Sequence, residues 1–239
     1  MKKIGYLLVF SFLLAPLGSC TWDSKETVKG NGELSTETRS PDNFRSVTVE
    51  GPYEIEVISG DQPRVVIEAE SNLMEYIITE VEDGKLTIKN KKDTRLRPDK
   101  DLVITVFTDE LEDVRVLGSG SINTGLITGE KVRLSVIGPG SITTSAQTTE
   151  LRAIVNGSGK IDIAGRGDKA HYSITGSGKI RAAEFEAESA RANITGSGAV
   201  HCRVNEELES SITGSGKVIY SGQPELSSKV TGSGSVRAE

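Results

Sequence analysis

Cysteine is scarce in this chain, with two in 239 residues, and the first of them, Cys20, falls inside a segment that reads as an export signal. Cys202 is then alone in the body, so no intrachain disulfide can staple the fold. Stability has to come from burial and backbone pairing. Aromatic residues are 5% of the sequence, with one tryptophan, which speaks against a core built around large rings. The only histidines are His171 and His201, and neither has a serine or cysteine nucleophile at a readable spacing, so imidazole-driven catalysis has little to rest on. A basic excess is also missing. The net charge of −6 argues against nucleic acid as a partner, because a phosphate-binding surface needs positive charge concentrated along a domain. Past residue 14 no apolar run is long enough to cross a bilayer.

What is present begins with an address. Met1-Lys2-Lys3 is a short basic start, and Ile4 to Leu14 is an apolar stretch too short to span but of signal-peptide length. Leu17-Gly18-Ser19-Cys20 resembles the bacterial lipobox, in which a small residue precedes a cysteine that is acylated and becomes the new N-terminus. Residues 1–19 are therefore expected to be a lipoprotein signal peptide. Cys20 is expected to carry acyl chains, palmitate among them, that hold the protein on a membrane. Residues 20–40, mostly polar, are expected to form a flexible tether. Thr21 is not the aspartate associated with inner-membrane retention, so the outer membrane is the favoured site, with surface or periplasmic face left open.

The second half is organised by a repeat. A glycine corner recurs seven times, as Gly118-Ser119-Gly120, Gly138-Pro139-Gly140, Gly157-Ser158-Gly159, Gly176-Ser177-Gly178, Gly196-Ser197-Gly198, Gly214-Ser215-Gly216 and Gly232-Ser233-Gly234. Successive corners are 20, 19, 19, 20, 18 and 18 residues apart. Two residues before each first glycine stand Val116, Val136, Val155, Ile174, Ile194, Ile212 and Val230, and four after it Ile122, Ile142, Ile161, Ile180, Val200, Val218 and Val236. Every one is β-branched, as inward-facing strand positions require. Alternation of period two along the strand, repeated about every nineteen residues, means that each repeat is one turn of a coil laid on the turn before. The fold expected is all-β: a right-handed parallel β-helix, a β-solenoid whose Gly-Ser-Gly corners are structural. Cys202 lies on the inward phase and reads as a buried thiol.

Residues 116–239 make the regular coils, and residues 41–115 read as an irregular N-terminal part of the same solenoid. Val47 to Val57 repeats the corner pattern around Gly51, Asp83-Gly84 supplies a hairpin turn, and Asn90 to Lys100 is charged enough to read as an exposed loop.

The stretch from Gly30 to Val57, the run Val81-Glu82-Asp83-Gly84-Lys85-Leu86-Thr87-Ile88 and the Gly-Ser-Gly corners followed by Ile or Val together resemble the head GIN domain family, formerly a domain of unknown function. The resemblance covers nearly the whole mature chain and implies a β-helix fold, a lipoprotein of Bacteroidetes-type bacteria and an adhesin role. It carries no catalytic motif.

Extracellular β-solenoids often act on acidic polysaccharides, so clustered carboxylates at one phase of successive coils would be the mark of an enzyme. The outward phases instead hold a broken lysine row, Lys160, Lys179 and Lys217; a mostly basic row, Asp113, Arg133, Arg152, His171, Arg191, Glu209 and Ser227; and a mostly acidic row, Glu130, Thr149, Asp168, Glu188 and Glu206. The last two rows are expected to compensate each other on a solvated face. No metal cage and no cofactor motif is visible in them. The lysine row is the candidate ligand-binding element, suited to an anionic glycan or lipid headgroup. Arg166-Gly167-Asp168 spells an integrin-recognition tripeptide in what reads as a turn, and chance accounts for it. The leading expectation is a non-enzymatic cell-envelope lipoprotein, an adhesin or binding module meeting a glycan or matrix ligand through flat sheet faces. The alternatives are a polysaccharide-active β-helix lyase or hydrolase, and a structural envelope protein that forms homo-oligomers through its coil edges.

Overall fold

The structure, a computed structural model, describes residues 25–239; the expected signal peptide and Cys20 lie outside the described residues. The chain forms a parallel β-solenoid of about seven turns. Nine short strands come first: β1 (Glu26–Lys29), β2 (Leu34–Arg39), β3 (Ser46–Glu50), β4 (Glu54–Ile58), β5 (Arg64–Glu70), β6 (Ile77–Glu82), β7 (Lys85–Asn90), β8 (Thr94–Arg97) and β9 (Val103–Phe107). Then come β10 (Asp113–Leu117) and five long strands that each wrap most of a coil, β11 (Ser121–Ile137), β12 (Ser141–Gly157), β13 (Lys160–Gly176), β14 (Lys179–Gly196) and β15 (Ala199–Gly214). The last coil is split into β16 (Lys217–Ser221), β17 (Glu225–Thr231) and β18 (Ser235–Ala238).

Parallel register puts equivalent residues of successive coils directly on top of one another. Val116 pairs with Val136, which pairs with Val155, and the column runs on through Ile174, Ile194, Ile212 and Val230. The second β-branched column runs from Ile122 to Val236 in the same way. All of these except the two in the last coil are buried. Each corner needs its two glycines for different reasons. Gly176 has φ +117°, a region closed to most side chains, while a Cβ on Gly178 would lie 2.4 Å from Val155 Cγ1 in the coil beneath. Backbone bonds then knit corner to corner, as Ser177 N–H donates to Gly157 O at 2.9 Å and Lys179 N–H to Gly159 O at 3.0 Å.

Two aromatics do enter this narrow core, and their neighbours explain how. Tyr172 is flanked in register by Ala153 and Ala192, and Phe185 lies over Gly165, with Gly167 so close that a Cβ there would be 2.9 Å from Phe185 Cζ. The glycine of Arg166-Gly167-Asp168 thus has a packing reason. That tripeptide lies within β13 and not in a turn, since Gly165–Gly167 pair continuously with Ala146–Thr148 of β12.

The N-terminal part is built differently. The coil made by β3 and β4 turns at Gly51 and stacks on β10 and β11, but β7 and β9 come next on its other side without a glycine corner between them. Beyond these, pairing turns antiparallel, β6 on β7 and β2 on β5 on β9. The Asp83-Gly84 turn joins β6 to β7, both residues at positive φ. Buried Glu70 accepts backbone bonds from Gly32 at 2.6 Å and from Asp99 at 2.8 Å, and Arg39 on β2 donates to Ile77 O at 2.6 Å and Met74 O at 3.1 Å. Two expectations are corrected here. The segment read as tether to residue 40 already holds β1 and β2, and the segment read as an exposed loop contains β8, which pairs in parallel with β1. Both sequences are polar because they form edge strands with one solvated face.

Candidate ligand-binding face

Past each Gly-Ser-Gly corner the strand runs along one flat face, on which two outward columns alternate with the buried isoleucine and valine positions. One column is Ser141, Lys160, Lys179, Ala199, Lys217 and Ser235; the other is Thr143, Asp162, Arg181, His201, Ile219 and Arg237. Register thus brings Lys160 beside Lys179 and leaves Ala199 between Lys179 and Lys217. Neighbouring coils are about 4.8 Å apart, so the charges form a ladder with one missing rung. The columns continue below through Ser121 and Asn123 of β11 to the exposed Glu54 and Glu56 of β4; from β12 onward Asp162 is their one carboxylate, and it reaches Lys160 Nζ at 2.8 Å and Arg181 at 3.6 Å. Lys179 and Lys217 are exposed, and no ion pair holds either among the described residues.

Along one edge of this face the stacking breaks. Register shifts between Asn123 and Leu126, Asp162 and Ala164, and Ala182 and Glu186 open a groove of about 430 Å³ lined by Thr143, Thr144, Asp162, Arg181, Glu184 and His201 among others. Sequence reasoning did not find this groove. Its signal is the uneven 18 to 20 residue spacing, because a coil with an extra residue must bulge somewhere.

Arg133, Arg152, His171 and Arg191 stack in register on the face before the corner, between Asp113 and Glu209. The ion pairs that form use carboxylates other than the expected ones: Arg191 pairs with Glu209 of the next coil in the same column, Arg152 lies 3.4 Å from Glu150, and the His171 ring is 3.9 Å from that same carboxylate. Asp168 and Glu188 of the acidic row instead line a second, open groove of about 510 Å³ with Arg166, Glu186 and Gly167. Glu209 faces Arg191 from the adjacent strand about 4.8 Å away, and Glu150 lies two residues from Arg152 on the same strand face, both within easier reach than a residue three along a bent coil.

Cys202 is buried, and burial pushes its thiol up to about 12, so it stays protonated and inert. The Tyr172 hydroxyl is likewise raised by burial. Among the described residues no group of three or more His, Cys, Asp or Glu side chains converges as metal ligands would.

Residues 43–224 match the family model described as "Putative auto-transporter adhesin, head GIN domain". The chain belongs to this head GIN domain family. Among solved structures it is similar to a "putative lipid binding protein" from Parabacteroides distasonis at 27% identity and TM-score 0.78, over 90% of this chain and 100% of that one. It is similar also to a "putative adhesin" from Parabacteroides merdae at 27% identity and TM-score 0.70, over 89% and 99% of the two chains. A third, a "putative adhesin" from Bacteroides fragilis, has TM-score 0.82 at 20% identity over 89% and 100%, a likeness of fold alone. No curated protein matches the chain.

Proposed function

We propose that this head GIN domain chain is a non-enzymatic binding module of the cell envelope, an adhesin anchored by acyl chains on Cys20, whose post-corner face takes an extended anionic partner. The observation that carries the reading is the fixed register of Lys160, Lys179, Arg181, Lys217 and Arg237 on the coils from β13 onward, where Asp162 is the one carboxylate of the two columns, Glu54 and Glu56 lying at their far N-terminal end. An acidic polysaccharide lying along the solenoid axis would meet a cation at most coils, while the row of small residues Ser141, Ala199 and Ser235 lets it approach. The adhesin descriptions of the family and of the similar structures fit this role, and a family of that description fits the cell surface or envelope.

The experiment is a panel of linear glycans, uronate-bearing, sulfated and neutral, tested for binding and for chain cleavage with and without calcium. Binding confined to acidic glycans with no shortening of the chain is the expected result. Equal binding of neutral glycans would refute the lysine face, and accumulating short products would establish the enzyme reading instead.

A further inference from the structure

The strands β1 and β8 form a two-stranded parallel sheet of their own, apart from the solenoid. Parallel register pairs Thr27 with Arg95, Val28 with Leu96 and Lys29 with Arg97, and residues paired in this way share a face. One face holds Val28, Thr94 and Leu96; Thr94 is buried and Leu96 packs on the core. The opposite face holds Thr27, Lys29, Arg95 and Arg97, all exposed. It is basic in a chain whose net charge is −6. Of the nearby carboxylates, Asp99 lies 3.3 Å from Lys29, while neither Arg95 nor Arg97 has an ion pair among the described residues.

The position of this face relative to Cys20 gives it a partner. Six residue steps separate Cys20 from Glu26, so however the intervening chain runs it reaches no more than about 20 Å. An anchor at Cys20 therefore keeps this small sheet beside the headgroups. Each basic side chain near an anionic leaflet is attracted over a screening length of about 8 to 10 Å. We infer that the Lys29, Arg95 and Arg97 face is a foot that docks on an anionic membrane surface and stands the solenoid on its N-terminal end. The inference rests on the anchor reading of Cys20 and adds to it an orientation, with the lysine face of the later coils held clear of the membrane.

The test uses the lipidated full-chain product reconstituted into vesicles of phosphatidylcholine with or without phosphatidylglycerol, both bearing a headgroup-attached quencher. A fluorophore is placed at Thr27→Cys, in the middle of the foot, or at Thr213→Cys on a far coil; buried Cys202 does not compete for label. Strong quenching at position 27 and little at 213 is expected in anionic vesicles. Added salt should relieve it. Arg95→Gln with Arg97→Gln should lower the docked-to-free ratio by roughly thirtyfold, with the circular dichroism spectrum unchanged. Quenching equal at the two positions, or indifferent to lipid charge and to the double variant, would overturn the foot. Acylation is read separately from the mass of the N-terminal peptide. An unacylated Cys20 overturns the anchor and the foot together, whereas an acylated Cys20 without charge-dependent quenching overturns the foot alone.

Discussion

The two parts of the molecule solve the same problem by different means. In the coils from β12 onward, every strand lies on the one that came a turn earlier, so a single rule of spacing repeats and each contact is nearly identical to the next. In the N-terminal part, strands far apart in the chain are interleaved: β9 is set between β4 and β5, and β10 between β3 and β11. There specific polar ties, Glu70 and Arg39, close an end that repetition would leave open. Regularity makes the coils intolerant of any added atom at a corner, whereas the cap should tolerate local change and fail locally.

That contrast can be broken in order of effect. Phe185→Ala should be the most damaging, because the space above Gly165 and Gly167 is shaped for a ring that neighbouring coils cannot collapse into; a loss of about 4 kcal/mol is expected in denaturant unfolding. Gly178→Ala follows at about 3 kcal/mol, since its Cβ would overlap both Val155 and the carbonyl of Gly159. The same substitution at Gly84, at the hairpin turn of the cap, meets no atom within 4 Å and should cost only the positive-φ penalty of about 1 kcal/mol. Equal losses at the two glycines would show that stacking is not what the corner glycine serves. Glu70→Gln should likewise cost about 1 kcal/mol, because an amide nitrogen would then oppose one of the backbone N–H groups that donate to Glu70. Its mark should be faster hydrogen exchange confined to residues 30–39 and 97–101, with the coils still protected. Exchange accelerating through the coils as well would mean that the cap and solenoid unfold as one unit.

The coils were legible in the sequence because their inward columns are β-branched at fixed offsets from a glycine pair, and such a pattern has one compact solution. The cap was legible only in pieces. Alternation in Val65 to Ala69 or Leu102 to Phe107 tells which residues face inward, but not which strand lies alongside. The charged stretch around Thr94 to Arg97 has no buried alternation long enough to announce a strand, and it forms one only because β1 comes back to it. The lysine row was visible as a row. Arg181 and Arg237 join it at one fixed offset from the corner, whereas the groove opened by the bulges depends on register shifts that spacing alone does not locate.

Whether the face that repetition builds in the coils takes an anionic polymer is decided by titrating a polyuronate into the wild-type chain and into Lys160→Gln/Lys179→Gln/Lys217→Gln at rising salt. The expected result is a wild-type affinity that falls steeply with salt, and a triple variant, folded as before, that binds at least about tenfold more weakly with a shallower salt dependence. Affinity unchanged by the three substitutions, or insensitive to salt, would contradict it.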